Sequence, residues 1–248
     1  MTMQSNFEKM SMADRITAAK KKTARVVDHL LYLLELHENN SIIVYSDILS
    51  SQIPTSFAAN AFNIFQLGLH QFEIVRLCAL WDRAESGKEN IPTVIELIDD
   101  SAVIEALARE AASHWNTNYP RLINPSDDPT EQAFEREALP RSNEEFGRQQ
   151  ADKVRVNLPK TIDDARSIIA SPILEVVMNL RDKHLAHSLS QTRREQRAGP
   201  VDPMKYGDEK KILEETFPIV EALYSYAAPS PRAVREGLAN LGRFAPRE

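Results

Sequence analysis

The stretch SFAANAFNIFQLGLHQFEIVRLCAL, residues 56–80, decides how this chain folds. Phe57, Ala61, Phe65, Leu69, Phe72, Val75 and Ala79 recur at three- and four-residue steps, the spacing of one helix face. Phe62, Ile64, Leu67, Ile74 and Leu77 cover much of the remaining circumference. Ser56 can cap the helix after Pro54, and no proline interrupts it before Pro92. A helix apolar nearly all round is expected at the centre of a bundle. Asn63, Gln66, His70, Glu73 and Arg76 add a polar line along one side. Either Glu73 pairs with Arg76 and the line is hydrogen-bonded within the core, or His70, Glu73 and Arg76 line a polar cleft.

Outward from this helix the pattern stays helical. Met10, Ile16, Ala19, Val26, Leu30 and Leu33 predict a first helix from about Asn6 to Leu36, ended by Asn39-Asn40. Ile42-Ile43-Val44-Tyr45 is the best strand candidate; its shortness reads instead as a linker or the start of a short helix. Ile91 to Ile98 predicts a short helix with Pro92 near its first turn, and Ala102 to Trp115 another. Pro120, Pro125, Pro129, Pro140 and Pro159 punctuate a charged region, residues 116–160, which reads as an exposed helical insertion. Thr161-Ile162-Asp163-Asp164 then opens a helix that re-caps near Ser171-Pro172 and continues through Val176, Val177 and Leu180. Gly199-Pro200 and Asp202-Pro203 mark a loop, and Asp208 to Ala227 the last bundle helix, kinked at Pro218. Only 7 glycines occur, and no alternating run bounded by turns supports strands. The expectation is all-α: a single domain, residues 1–248, with a four-helix bundle core, additional helices, and a peripheral segment at 229–248.

Charge and cysteine narrow the setting. The net charge of −6 repels polyanions overall, so nucleic-acid contact needs a local basic patch. The lone Cys78 lies in an apolar run and reads as a buried, inert thiol; without a disulfide framework a reducing compartment is favoured. Residues 1–22 mix acids and lysines where a signal peptide would be apolar, and no window suits a membrane span. The cytoplasm is the expected location. Phosphate-binding glycine loops, Cys-x-x-Cys and His-Glu-x-x-His are absent, which removes the common nucleotide, redox and zinc-protease readings.

One segment carries chemistry. Arg181-Asp182-Lys183-His184-Leu185-Ala186-His187-Ser188 sets an arginine and a histidine at a helix end with five residues between them. Upstream, Arg76-Leu77-Cys78-Ala79-Leu80-Trp81-Asp82 closes the second helix before Ile91-Pro92 opens a short one. Downstream, Lys205-Tyr206-Gly207-Asp208 leads into the last helix. In this order, with four long core helices, these pieces resemble the HEPN superfamily, most closely its abortive-infection, AbiU2-like branch. The resemblance covers most of the chain outside the charged region. It implies a helical bundle that pairs as a homodimer, with RNA as substrate or ligand. It also implies an antitoxin or other defence-system protein as a possible partner. Many such proteins cut RNA without a metal ion, often as toxins or phage-defence effectors; others have lost catalysis and serve as RNA-binding or assembly modules.

Residue chemistry supports the catalytic version in part. Cleavage by the RNA's own 2′-hydroxyl needs a base and an acid near neutrality and positive charge on the phosphate. It needs no cofactor. Histidine titrates in that range, and arginine stays charged and can grip two phosphate oxygens. Arg181 would then stabilise the pentacoordinate phosphate and His187 transfer the proton. Asp182 would orient a side chain or the substrate, with His184 close by. On an ideal helix Arg181 and His187 stand about 240° apart and roughly 9 Å along the axis. They share a site only if the helix unwinds near His187, or if a second copy completes it where two motif segments meet. Lys183, Arg193, Arg194 and Arg197 join Arg181 against Asp182 and Glu195, a local net charge of +3 suited to an RNA backbone. The same residues also fit a plain solvated loop, and Lys183, His184 and His187 fit simple complementation of a helix dipole. A zinc site on His184-x-x-His187 lacks nearby cysteines and is rejected.

Overall fold

Side-chain caps set most of the helix starts. The computed structural model describes residues 7, 9–44, 51–53, 56–117 and 128–227. Ser11 accepts from the Asp14 amide and opens α1 (Met12–Ile43); Ser56 accepts from Ala59 and opens α2 (Phe57–Leu80). Asn90 caps α3 (Ile91–Ile98), with Pro92 in its first turn. α4 covers Ser101–Thr117, and Asp128 caps α5 (Pro129–Ile169). Ser171 caps α6 (Pro172–Leu180), Thr192 caps α7 (Arg193–Ala198), and α8 covers Asp208–Ala227. Each cap satisfies an amide that a helix start leaves without an intrahelical partner. Among the described residues there is no strand, and the fold is all-α. No helix among them is long and apolar enough to cross a membrane.

The centre of the bundle belongs to α1. Val26, Leu30 and Leu33 are fully buried where α1 packs on α2, α3, α4 and α8. Arg15 ties the start of α1 to the end of α3, donating to the Leu97 and Glu96 carbonyls and pairing with Asp100 at 3.2 Å. Those carbonyls end a helix and have no amide partner of their own, so a cation there is well placed.

α2, expected at the centre, is buried only from Glu73 to Leu80. Towards its start Phe57 is 94% exposed and Ile64 73%. The bundle simply does not extend that far: the first two-thirds of α2 project beyond it with the last turns of α1. The two helices form an antiparallel hairpin held by polar contacts. Asn40 donates to the Leu69 carbonyl and to the Glu73 carboxylate, and Gln66 donates to the Ile43 carbonyl. This is why α1 does not stop at Asn39-Asn40. Asn40 is buried and bonded across the hairpin, and Ile42 and Ile43 complete the helix, neither linker nor strand. Tyr45 lies outside the described residues.

The charged region also differs from expectation. From Pro129 it is one unbroken helix through Pro140 and Pro159, so Thr161 lies inside α5 and opens nothing. Its second half is core: Ala151, Val154, Leu158 and Ile162 are buried. Packing along α4 and α8 holds the helix across prolines that would each cost about 3 kcal/mol in an isolated helix. Gly147 permits the close approach to α4, because a Cβ there would lie 2.8 Å from the Ala112 carbonyl oxygen. The segment at 229–248 lies outside the described residues. α6 re-caps at Ser171-Pro172 as expected, α8 has the expected bounds, and Cys78 is buried with its thiol pushed up to about 12 by burial.

Two outcomes follow from this packing. Gly147→Ala is expected to destabilise the chain by about 1–3 kcal/mol in urea denaturation, through overpacking against α4. The change would gain about 1 kcal/mol from helix propensity if the site were open. His37 donates or accepts at 2.6 Å with buried Glu73, a contact that raises its pKa above the ordinary 6.5, with Glu38 adding and burial and Lys210 opposing. Its contribution is therefore complete below that ordinary value and lost as pH rises through the folded one. The melting-temperature gap between wild type and His37→Gln should be wider at about pH 5.5 than at about pH 8.5.

Candidate active site

α6 ends by changing its hydrogen-bond pattern. From Arg181 to Leu185 the backbone is π-helical: the Ala186 amide donates to the Arg181 carbonyl at 2.8 Å, five residues back. The Leu189 amide then reaches the Lys183 carbonyl at 3.0 Å. A π turn is wider than an α turn and is often found at functional sites. Here it ends the ideal-helix register, and His187 lies beyond the helix and is exposed. The backbone thus departs from the α-helix between Arg181 and His187 within one copy.

Arg181 is held from two sides. Its Nε and Nη2 donate to Asp182 Oδ1 at 2.8 and 2.6 Å, and Nη2 lies 3.9 Å from Asp82 Oδ1. Burial opposes the charge, but Asp182 and Asp82 outweigh it and leave the guanidinium above its ordinary pKa. Asp82 stands just past the end of α2 and also accepts from Lys88 Nζ and the Arg83 amide, both at 3.0 Å. Despite partial burial these contacts keep its carboxyl below the usual range. Its part in the site was not read from sequence, although an acid directly after the second helix was there to be weighed.

Beside Arg181 the π turn borders a cleft of about 370 Å³. His70 from α2, Lys183 and His184 from the π turn, and Lys205 and Tyr206 from the loop before α8 line it. Its floor is Glu195, which accepts from Lys183 Nζ at 2.9 Å, Asn179 Nδ2 at 3.2 Å and the Thr192 amide at 2.9 Å. Lys183 and these amides hold its carboxyl down to about 2. Thr192 and Glu195 also cap each other's backbone at the start of α7, a reciprocal box that the Thr-x-x-Glu spacing encodes.

The structure separates several residues that the sequence grouped. Of His70, Glu73 and Arg76, His70 lines the cleft. Glu73 turns into the α1 contact, and Arg76 lies over the Tyr32 ring at 5.2 Å. Three-residue steps retreat about 60° around a helix, so such a line spirals off any one face. The positive cluster is likewise partly spent internally: Lys183 pairs with Glu195, and Arg194 reaches the Glu175 carbonyl at 3.1 Å. Arg193 and Arg197 are exposed on α7.

A helical bundle that places an arginine and a histidine where a short core helix unwinds has the architecture of a HEPN domain. The family model described as AbiU2 (HEPN_AbiU2) matches residues 16–242, and the chain belongs to that family. It is thus a HEPN domain of the abortive-infection type. No curated protein and no solved structure matches the chain.

Replacing Glu195 with Ala leaves the buried Asn179 amide short of an acceptor, frees Lys183 and removes half of the α7 cap. The expected loss is about 2–4 kcal/mol in urea denaturation, with Glu195→Gln recovering part of it. Equal stability of all three proteins would remove Glu195 from its place as the floor of the site.

Proposed function

We propose that this protein is a metal-independent endoribonuclease of bacterial defence or toxin type, acting as a homodimer in which the second copy completes the site. The observation that carries the reading is the π turn at Arg181–Leu185. It ends the helix between a charged, largely buried arginine and an exposed histidine. The 2′-hydroxyl attacks phosphorus, the bond to the 5′ oxygen breaks, and the products are a 2′,3′-cyclic phosphate and a 5′-hydroxyl. Arg181 neutralises the equatorial oxygens, which requires the phosphate to displace Asp182 from Nε and Nη2. His187 takes the 2′ proton and supplies one to the leaving oxygen, and His184 borders the cleft where the substrate continues. Arg193, Arg197 and Lys183 track the backbone on either side, and an antitoxin or other defence protein would act by covering this surface.

A second reading has its own support. Arg181 bonded twice to its neighbour Asp182, and Lys183 bonded to Glu195, also make a self-satisfied helix end in a catalytically silent RNA-binding or interaction module.

Purified protein incubated with RNA in excess chelator decides between them. The nuclease reading expects cyclic-phosphate ends and a fall of about 10²-fold or more for Arg181→Ala and for His187→Ala. RNA bound but left whole by wild type, with unchanged affinity in both variants, would establish the silent module instead.

A further inference from the structure

The cleft beside the π turn has one apolar wall. Val176, Leu180 and His184 follow at four-residue steps along α6 into the π turn, so a single stripe of that segment lines it. Met204, from the loop before α8, lines it too and packs against the core. The charged groups around the cleft cancel. Lys183 and Lys205 are matched by Glu195 and Asp202, and Lys183 is bonded to Glu195 at 2.9 Å. A phosphate subsite needs surplus positive charge, and with both histidines neutral this lining has none. Apolar walls with a few polar groups suit an uncharged ring instead.

The rim supplies an aromatic side chain on a fixed backbone. Tyr206 is 73% exposed, yet the turn that carries it is braced on both sides. The Asp208 amide donates to the Lys205 carbonyl at 3.1 Å, and the Asp208 carboxylate accepts from the Lys205 amide at 2.8 Å. Gly207 has a φ of +90°, the left-handed conformation that glycine adopts without strain at the third position of a turn. Its amide donates to Glu209 at 3.2 Å, and the same Glu209 lies 3.6 Å from His70 Nε2 on α2. Burial opposes the charge on Glu209, but His70 and the backbone amides outweigh it and hold the carboxyl below its ordinary range. One buried carboxylate thus fixes both the tyrosine turn and the histidine on the cleft wall.

We propose that this cleft is a nucleobase pocket, in which one unpaired base of an RNA strand stacks on Tyr206 with its edge toward His70 and His184. Stacking on aromatic side chains is how proteins hold bases that are splayed out of a strand, and every base has the face that it needs. A turn already fixed before binding loses little freedom when the base arrives. A duplex keeps its bases stacked within itself, so the RNA that fits is single-stranded or looped. Arg181 does not line the cleft but starts the π turn that borders it. The base held here therefore belongs to a nucleotide next to the one whose phosphate reaches Arg181. The pocket presupposes the RNA binding of the proposed function but not cleavage.

Fluorescence anisotropy of the full chain with a labelled 2′-O-methyl strand provides the test, because a strand without a free 2′-hydroxyl can bind but cannot be cut. Wild type should bind the single strand about tenfold or more tighter than the same strand annealed to its complement. Tyr206→Ala should weaken binding of the single strand about tenfold, the scale of one base–aromatic stack, and Tyr206→Phe should keep wild-type affinity. On a strand whose residues lack bases, Tyr206→Ala and wild type should bind alike. Equal affinity for strand and duplex, undiminished binding by Tyr206→Ala, or an equal loss on the baseless strand would each overturn the pocket while RNA binding stands. No binding to any strand would overturn the pocket together with the RNA reading. Binding by wild type that cuts no ordinary RNA would end the nuclease reading alone.

Discussion

A carboxylate buried between two helices governs much of this molecule. Glu73 is almost completely removed from water, and His37 and Asn40 of α1 are among the groups that satisfy it. A buried charge without such partners costs several kcal/mol, so α1 and α2 can pair in only one register. That register decides where α2 ends, and the end of α2 delivers Asp82 to Arg181. It also decides what the bundle leaves out: with the polar clamp running from Gln66 to Glu73, α2 carries only its first turns, before Gln66, past the last residues of α1.

The arginine–histidine segment depends on a second carboxylate in a similar way. Glu195 gathers an amide from α6, the ammonium of Lys183 and the amide of Thr192, the cap of α7. The loop after the π turn is therefore closed onto the helix that precedes it, which keeps the cleft open on one side and Arg181 against α2 on the other. Three of the five positive residues counted along this stretch have carboxylate partners: Asp182, Glu195 and, from outside it, Glu175. The positive charge turned to solvent is then that of the exposed arginines of α7, not of the whole cluster.

Short-range features were legible because their causes are short-range. Pro92 marks the first turn of α3 and Ser171-Pro172 the start of α6, whereas the Thr192–Glu195 box that opens α7 lies in a stretch that reads from sequence only as a basic track or a solvated loop. The bounds of α8 and the burial of Cys78 follow from the local apolar pattern. Asn39-Asn40 misled because asparagine ends helices by default, whereas Asn40 is bonded to residues about thirty positions away. Pro140 and Pro159 misled because breaking is the local cost, and the compensation comes from α4 and α8.

The sequence by itself determined the all-helical class, most of the helix starts and the family to which the Arg181–His187 segment belongs, since periodicity, caps and motif order are properties of neighbouring residues. Only the tertiary structure decided that α1 takes the centre, that Glu73 and Arg76 leave the cleft to His70, and that the backbone widens into a π turn at Arg181. Those outcomes turn on which distant groups satisfy a buried charge or cover an apolar face. A linear pattern states that a face is apolar without stating what will cover it.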